Sequence, residues 1–260
     1  MLFVIKVGGN VLDNPVLLQS FLEDFAAVQG PKILIHGGGK IATRIGDQLG
    51  IESKYVNGRR ITDAATIDVV TMVYGGLVNK QLVAKLQALG CNAIGMTGAD
   101  ANVIPAVKRP VKEIDYGFVG DIDPATLHAA PLKAMLDAGL TPVFAPLTHN
   151  GHGQMLNTNA DTIASSLAIA LSACYPVRLI YCFEKKGVLR DANDDNAVIN
   201  LINRTIYAEL LEQKVLTDGI LPKLENAFAA IESGVKEVLI GHAADVRSNT
   251  SGNVAGTLIC

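Results

Sequence analysis

Short apolar runs rich in Val, Ile and Leu recur along the chain, separated by longer stretches whose apolar positions repeat at helical spacing. Leu2–Val7, Lys32–His36, Ala93–Thr97, Pro142–Ala145, Val177–Phe183 and Glu237–Ile240 predict strands. Between them, Val16–Gln29, Lys40–Leu49, Ala64–Leu89, Pro131–Ala138, Ala160–Ala173 and Leu221–Ser233 predict helices. Strands apolar throughout are buried on both faces, and helical connections let neighbours run parallel, so the pattern predicts an α/β fold with a mostly parallel sheet. Residues 98–128 break the rhythm with polar residues, valines and scattered Gly and Pro, which predicts a small hairpin or lid beside a ligand site. A shift in composition near Ala173–Pro176 divides the chain into a first lobe, residues 1–173, and a second, 174–260.

Composition narrows the function classes. With 260 residues the chain is long enough for a substantial core. Its net charge of -3 argues against nucleic acid as a partner, because neutralising phosphates takes clustered Lys and Arg. Cys91, Cys174, Cys182 and Cys260 form no C-x-x-C pair and predict buried free thiols in a reducing compartment. The apolar stretch Ile163–Val177 contains three serines and Pro176 and ends at Arg178, too short and interrupted for a bilayer span. Met1–Lys6 lacks the basic start of a signal peptide, so the expectation is a soluble, cytoplasmic protein.

The candidate chemistry lies at the strand ends. The first strand leads into Lys6-Val7-Gly8-Gly9-Asn10 and the second into His36-Gly37-Gly38-Gly39-Lys40; Gly95-Met96-Thr97-Gly98, Glu184-Lys185-Lys186-Gly187 and Gly241-His242 follow later strands. Open α/β sheets bind ligands at the carboxyl ends of their strands, where glycine lets backbone N–H groups approach an anion. Two such loops suggest a ligand set with several anionic groups, such as a polyphosphate beside a carboxylate. Lys6 ends an otherwise apolar strand, a position that calls for an anion. Asn157-Thr158-Asn159-Ala160-Asp161 opens a helix with more polar groups than one N-cap uses. Thr217-Asp218-Gly219-Ile220-Leu221-Pro222-Lys223 opens another, with Lys223 where the helix dipole disfavours a cation. Lys6 and Lys223 thus suggest phosphate neutralisation, with Asp161 holding them apart and aimed.

Other nucleotide motifs fit less well. There is no G-x-x-x-x-G-K-[ST]. Gly37-x-Gly39-x-x-Ala42 meets the looser dinucleotide pattern, but the polar, basic stretch 51–60 lacks the acidic partner such a site places about 20 residues on. His36–Gly39 is similar to a hydrolase oxyanion loop, yet no G-x-S-x-G elbow accompanies it.

The motifs Lys6-Val7-Gly8-Gly9, His36-Gly37-Gly38-Gly39, Asn57-Gly58-Arg59-Arg60-Ile61-Thr62, Val119-Gly120-Asp121-Ile122, Asn157-Thr158-Asn159-Ala160-Asp161 and Thr217-Asp218-Gly219 with Lys223 resemble, from end to end, the acylglutamate branch of the amino-acid kinase family. The resemblance implies a three-layer αβα sandwich around a mainly parallel, eight-stranded sheet. It implies phosphoryl transfer from ATP, with Mg²⁺, to the γ-carboxylate of N-acetyl-L-glutamate or its N-succinyl analogue, in arginine biosynthesis. Lys6 and Lys223 would stabilise the transferring group, and Asp161 would organise them. Gly38 and Gly39 would bind substrate and γ-phosphate, Arg60 the α-carboxylate, and Asn157 the acylamino acid. Gly8, Gly9, Glu184, Lys186, Gly187, Leu216 and Thr217 would bind the nucleotide. The chain departs from the family at Glu184-Lys185-Lys186-Gly187, where Asp-Val-x-Gly is usual, and in the absence of a Leu-rich segment between Gly241 and Thr257. With the first strand starting at residue 2, the expectation is a homodimer insensitive to arginine. The alternatives are a family member acting on another small carboxylate, a catalytically silent sensor on the same fold, and a nicotinamide oxidoreductase.

Overall fold

Strand β1 (Leu2–Val7) shows how the layers arise. All of it is buried, with Leu2 and Val4 in one hydrophobic core and Phe3, Ile5 and Val7 in another, because successive side chains of a strand leave opposite faces. A computed structural model describes residues 1–56, 58–191, 194–213, 215–216 and 220–260. Asn57, Thr217, Asp218 and Gly219, which belong to two of the motifs above, lie outside the described residues.

Seven further strands complete the main sheet: β2 (Lys32–His36), β3 (Ala93–Met96), β4 (Thr141–Phe144), β5 (Val177–Phe183), β6 (Leu201–Ile202), β7 (Glu237–His242) and β8 (Thr257–Ile259). Their order is β6-β8-β7-β5-β1-β2-β4-β3. The six from β7 to β3 run parallel, β8 is antiparallel to β7, and β6 runs with β8. One face is covered by α1 (Gly9–Leu12), α2 (Pro15–Ala27), α3 (Gly39–Gln48), α4 (Ala64–Val70), α5 (Asn79–Ala88) and the C-terminal α10 (Val246–Thr250). The other is covered by α6 (Ala129–Asp137), α7 (Ala160–Ser172), α8 (Arg204–Glu212) and α9 (Leu221–Glu232). This is the three-layer αβα sandwich around a mainly parallel sheet.

Four findings refine the sequence expectations. The helix expected over Ala64–Leu89 is α4 and α5 joined by a π-helical stretch, Thr71–Val78, which brings Tyr74 and Val78 against Gly38. Residues 98–128 contain the expected hairpin, Val107–Lys108 pairing antiparallel with Gly120–Asp121. Cys91 and Cys182 are buried free thiols as expected, but Cys174 and Cys260 are exposed, each at the end of an element and clear of the core. Among the described residues no helix is long and apolar enough to cross a membrane.

Candidate active site

Two cavities open along the carboxyl ends of the parallel strands. The first, about 620 Å³, is lined by Lys6 of β1 with Gly8, Gly9 and Asn10 after it, by Phe183 at the end of β5 with Glu184, Lys185 and Gly187–Leu189 after it, and by Asp161, Ile220, Lys223 and Ile240. The second, about 490 Å³, is lined by Gly37–Gly39 after β2, by Tyr55, Arg60 and Tyr74, by the hairpin residues Arg109 and Asp121, and by Asn157–Ala160. Both are the size of small-molecule sites. The start of α7 stands between them: Asp161 lines the first, and Asn159, Ala160 and Thr162 the second. The two glycine loops also touch there, because a Cβ on Gly37 would lie 3.2 Å from the backbone nitrogen of Gly9.

The charges gather at that junction. Lys6 Nζ lies 2.8 Å from Asp161 Oδ1. Asn159 is the N-cap of α7, its side chain accepting from the N–H groups of Asp161 and Thr162, which leaves the Asp161 carboxylate free for the lysine. Lys223, in the first turn of α9, places its ammonium 3.7 Å from the centre of the Phe183 ring, and Lys6 lies 5.1 Å from the same centre. Burial lowers the Lys223 pKa; the carboxylate of Asp161 opposes the shift and the charge of Lys6 adds to it. Two cations thus face one carboxylate, and the excess positive charge calls for an anion. Buried Lys32 is the contrast: its ammonium donates to the carbonyls of Phe25, Ala26 and Val28 at the end of α2, so its charge is consumed by the fold.

The second cavity is held by hydrogen bonds beneath it. Arg60 donates to Gly39 O at 2.8 Å, to Thr43 Oγ1 at 2.9 Å and to Ser53 Oγ, and lies over the Tyr55 ring. Its planar group is thereby fixed at the cavity wall. Asn157 donates to Thr62 Oγ1. Gly38 has φ of 149°, and a Cβ there would come within 3.0 Å of the Tyr74 ring, so this loop requires glycine. Gly187 is equally tight, with 2.7 Å to Thr257 Oγ1.

His36 supports the loop from below. It is fully buried, its Nδ1 donates to Gly37 O, and its Nε2 accepts from Asn79 Nδ2. Asn79 Nδ2 also donates to Val143 O, which fixes the amide's orientation and hence the imidazole tautomer. Burial pushes the His36 pKa down to about 4. Between that value and the unfolded value near 6.5 the unfolded chain binds the extra proton, so folding stability falls as pH falls through this window. We expect a stability about 2 kcal/mol lower at pH 5 than at pH 8, read from urea midpoints, with most of the difference removed in His36→Asn. A wild-type midpoint that is flat over this range would refute it.

The model of the amino acid kinase family matches residues 1–242. The chain belongs to the amino acid kinase family. Within it, the chain is 59% identical over 248 residues to the acetylglutamate kinase of Bacteroides thetaiotaomicron, covering 95% of this chain and 96% of that protein. It is 58% identical to the acetylglutamate kinase of Cytophaga hutchinsonii, covering 93% and 91%. Among solved structures, N-acetylglutamate synthase from Neisseria gonorrhoeae superposes with a TM-score of 0.81 at 22% identity, covering 100% of this chain and 59% of that one. That likeness concerns the fold.

In this amino acid kinase the structure brings Lys6, Asp161, Lys223, Gly8, Gly9, Glu184 and Gly187 to the first cavity and Gly38, Gly39, Arg60 and Asn157 to the second. Lys186 instead donates to Asn196, and Leu216 packs on the core, so neither lines a cavity; Thr217 lies outside the described residues. Sequence reasoning missed Phe183, Ile220, Tyr55, Tyr74, Arg109 and Asp121 as wall residues. Phe183 had a signal: it lies two residues beyond Tyr181, which pairs with Lys6, so strand alternation puts it on the lysine's face. Asp121 had one in the motif Val119-Gly120-Asp121-Ile122, whereas Arg109, joined to it at 2.5 Å across the hairpin, had none beyond lying in the segment expected near the site.

Proposed function

We propose that the chain transfers the γ-phosphoryl group of ATP to the γ-carboxylate of N-acetyl-L-glutamate, giving an acyl phosphate and ADP, the carboxyl-activating step of arginine biosynthesis. The observation that carries this is the pair of cavities meeting at Lys6, Asp161 and Lys223, one for a nucleotide and one for a small acid. Its similarity to acetylglutamate kinases supports it.

In this mechanism a carboxylate oxygen of the acceptor forms a bond to the γ-phosphorus while the bond from that phosphorus to the β,γ-bridging oxygen breaks. A carboxylate is already a nucleophile, so no proton moves and no general base is needed. What remains for the protein is alignment and charge. Lys6 and Lys223 neutralise the transferring oxygens, Asp161 keeps the ammoniums apart, and the N–H groups of the loops Gly8–Gly9 and Gly38–Gly39 cradle the phosphates. Arg60 and Asn157 hold the acceptor's α-carboxylate and acylamino group. Magnesium is part of the nucleotide substrate in this reading: among the described residues no three His, Cys, Asp or Glu side chains gather, so the phosphates would hold it, with Asp161 and Glu184 the nearby carboxylates. Bound there, it would draw charge from the transferring group.

In this reading residues 1–173 hold the acceptor and residues 174–260 most of the nucleotide, a division that the linings of the two cavities support. We read the protein as a cytoplasmic homodimer: free thiols suit a reducing compartment, and the exposed Met72 and Leu77 on the π-helical stretch between α4 and α5 suit a partner copy.

The test is ADP release with ATP and Mg²⁺, comparing N-acetyl-L-glutamate, N-succinyl-L-glutamate and free L-glutamate. Turnover is expected with the acetylated acid and not with free glutamate. Turnover with neither acylated acid would overturn the reading.

A further inference from the structure

Among the wall residues of the first cavity, Phe183 has the most unusual surroundings. It carries no group that reacts, yet both lysines converge on its ring, Lys223 at 3.7 Å and Lys6 at 5.1 Å from the centroid. The Tyr181 ring stacks beside it at 6.2 Å and 20°, which restricts its tilt, and the Tyr181 hydroxyl donates to Asp161 O. Asp161 provides one negative charge for two cations and sits on Lys6. Among the described residues no carboxylate lies within 4.0 Å of Lys223.

Two ammoniums at one junction repel each other, and burial adds to the cost of the Lys223 charge. The face of an aromatic ring is electron-rich and attracts a cation, most strongly where water is scarce. We propose that Phe183 is a positioning residue: its ring face is the second negative partner that holds Lys223 beside Lys6, aimed at the site of phosphoryl transfer. The ring occupies no oxygen-binding position of its own, so it preorganises the lysine without competing with phosphate. This rests on the phosphotransferase reading given above.

The experiment replaces Phe183 in the full chain with 4-fluoro-, 3,5-difluoro- and 3,4,5-trifluorophenylalanine, which drain charge from the ring face with little change in shape. Turnover is measured with saturating ATP, Mg²⁺ and N-acetyl-L-glutamate. The expected result is a stepwise fall in kcat reaching roughly 5- to 30-fold at three fluorines. The KM for the acceptor should stay within about twofold, since the lysines act on the transferring group. Phe183→Leu should match or exceed the trifluoro loss, and Phe183→Tyr should restore most of it. A flat fluorine series would overturn the proposal, because an apolar wall is indifferent to ring charge. Failure of the unsubstituted protein to turn over either acylated glutamate would sink the activity reading, and this proposal with it.

Discussion

Replacing Lys223 by alanine is expected to lower kcat by about 10²–10³, equivalent to roughly 3–4 kcal/mol of transition-state stabilisation, while the protein remains folded. The two halves of this expectation have separate causes. The ammonium stands at the junction of the cavities with no carboxylate within ion-pair distance among the described residues, so what it does for the bound state is done toward phosphate. The same isolation means the fold loses little when it goes. Its charge is partly desolvated and faces Lys6, and removing it relieves that repulsion. The melting temperature should therefore stay within about 2 °C of the parent, or rise. The KM for the acceptor should change far less than kcat, because a charge that meets the transferring group acts mainly in the transition state. Coupled ADP release and a thermal melt measure both halves. Near-normal turnover would sink the assignment of Lys223, and a collapsed melt would show that the lysine is structural.

Gly95→Ala is expected to be the most damaging single methyl group in the sheet. The reason lies in Asn79, which reaches from α5 past β3 to the backbone of β4 and to His36 at the end of β2. A Cβ on Gly95 would lie 1.9 Å from Asn79 Oδ1 and 3.1 Å from its Cγ. These atoms belong to a buried side chain with both amide protons in use. Displacing it would leave Val143 O without this bond and His36 Nε2 without a donor beneath the glycine loop. Overpacking and a lost buried hydrogen bond each amount to about 1–3 kcal/mol. A loss of about 3 kcal/mol, seen as a fall of roughly 6–12 °C in melting temperature, is the expected result. Gly76→Ala is the control: its Cβ meets nothing within 4 Å, so the melt should hold or rise. Equal melts for the two variants would contradict this account of Gly95.

These two positions also show what the sequence made legible. Lys223 stood out because a lysine in the first turn of a helix opposes the helix dipole, a local conflict visible without a structure. Lys6 stood out as a cation ending an apolar strand. Gly95, by contrast, fell inside the expected strand Ala93–Thr97 but was grouped with Gly98 as a loop for anions. It lies within β3, where the absent side chain makes room for Asn79, and a Cβ on Gly98 would meet Ile104 and the backbone of Thr148. Glycine in a sequence signals missing volume, and only packing says what fills it.

The long, doubly buried strands β1, β2, β5 and β7 were legible because burial on both faces leaves an unbroken apolar run. Strands β6 and β8 were not, since two or three residues carry no periodicity and both exist through pairing with distant chain. Which polar residue of Asn157–Asp161 caps α7 was not legible, because the choice depends on where the helix begins; the structure gives that role to Asn159.

Local conflicts and periodicities are properties of neighbouring residues, so the sequence by itself determined the α/β class, the glycine loops at the strand ends and the chemical character of the lysines and Asp161. The tertiary structure alone decided the sheet order, the meeting of two cavities at the start of α7, and the ring of Phe183 under both ammoniums. Each of these joins segments far apart along the chain, and their contact is set by how the layers pack rather than by any local preference.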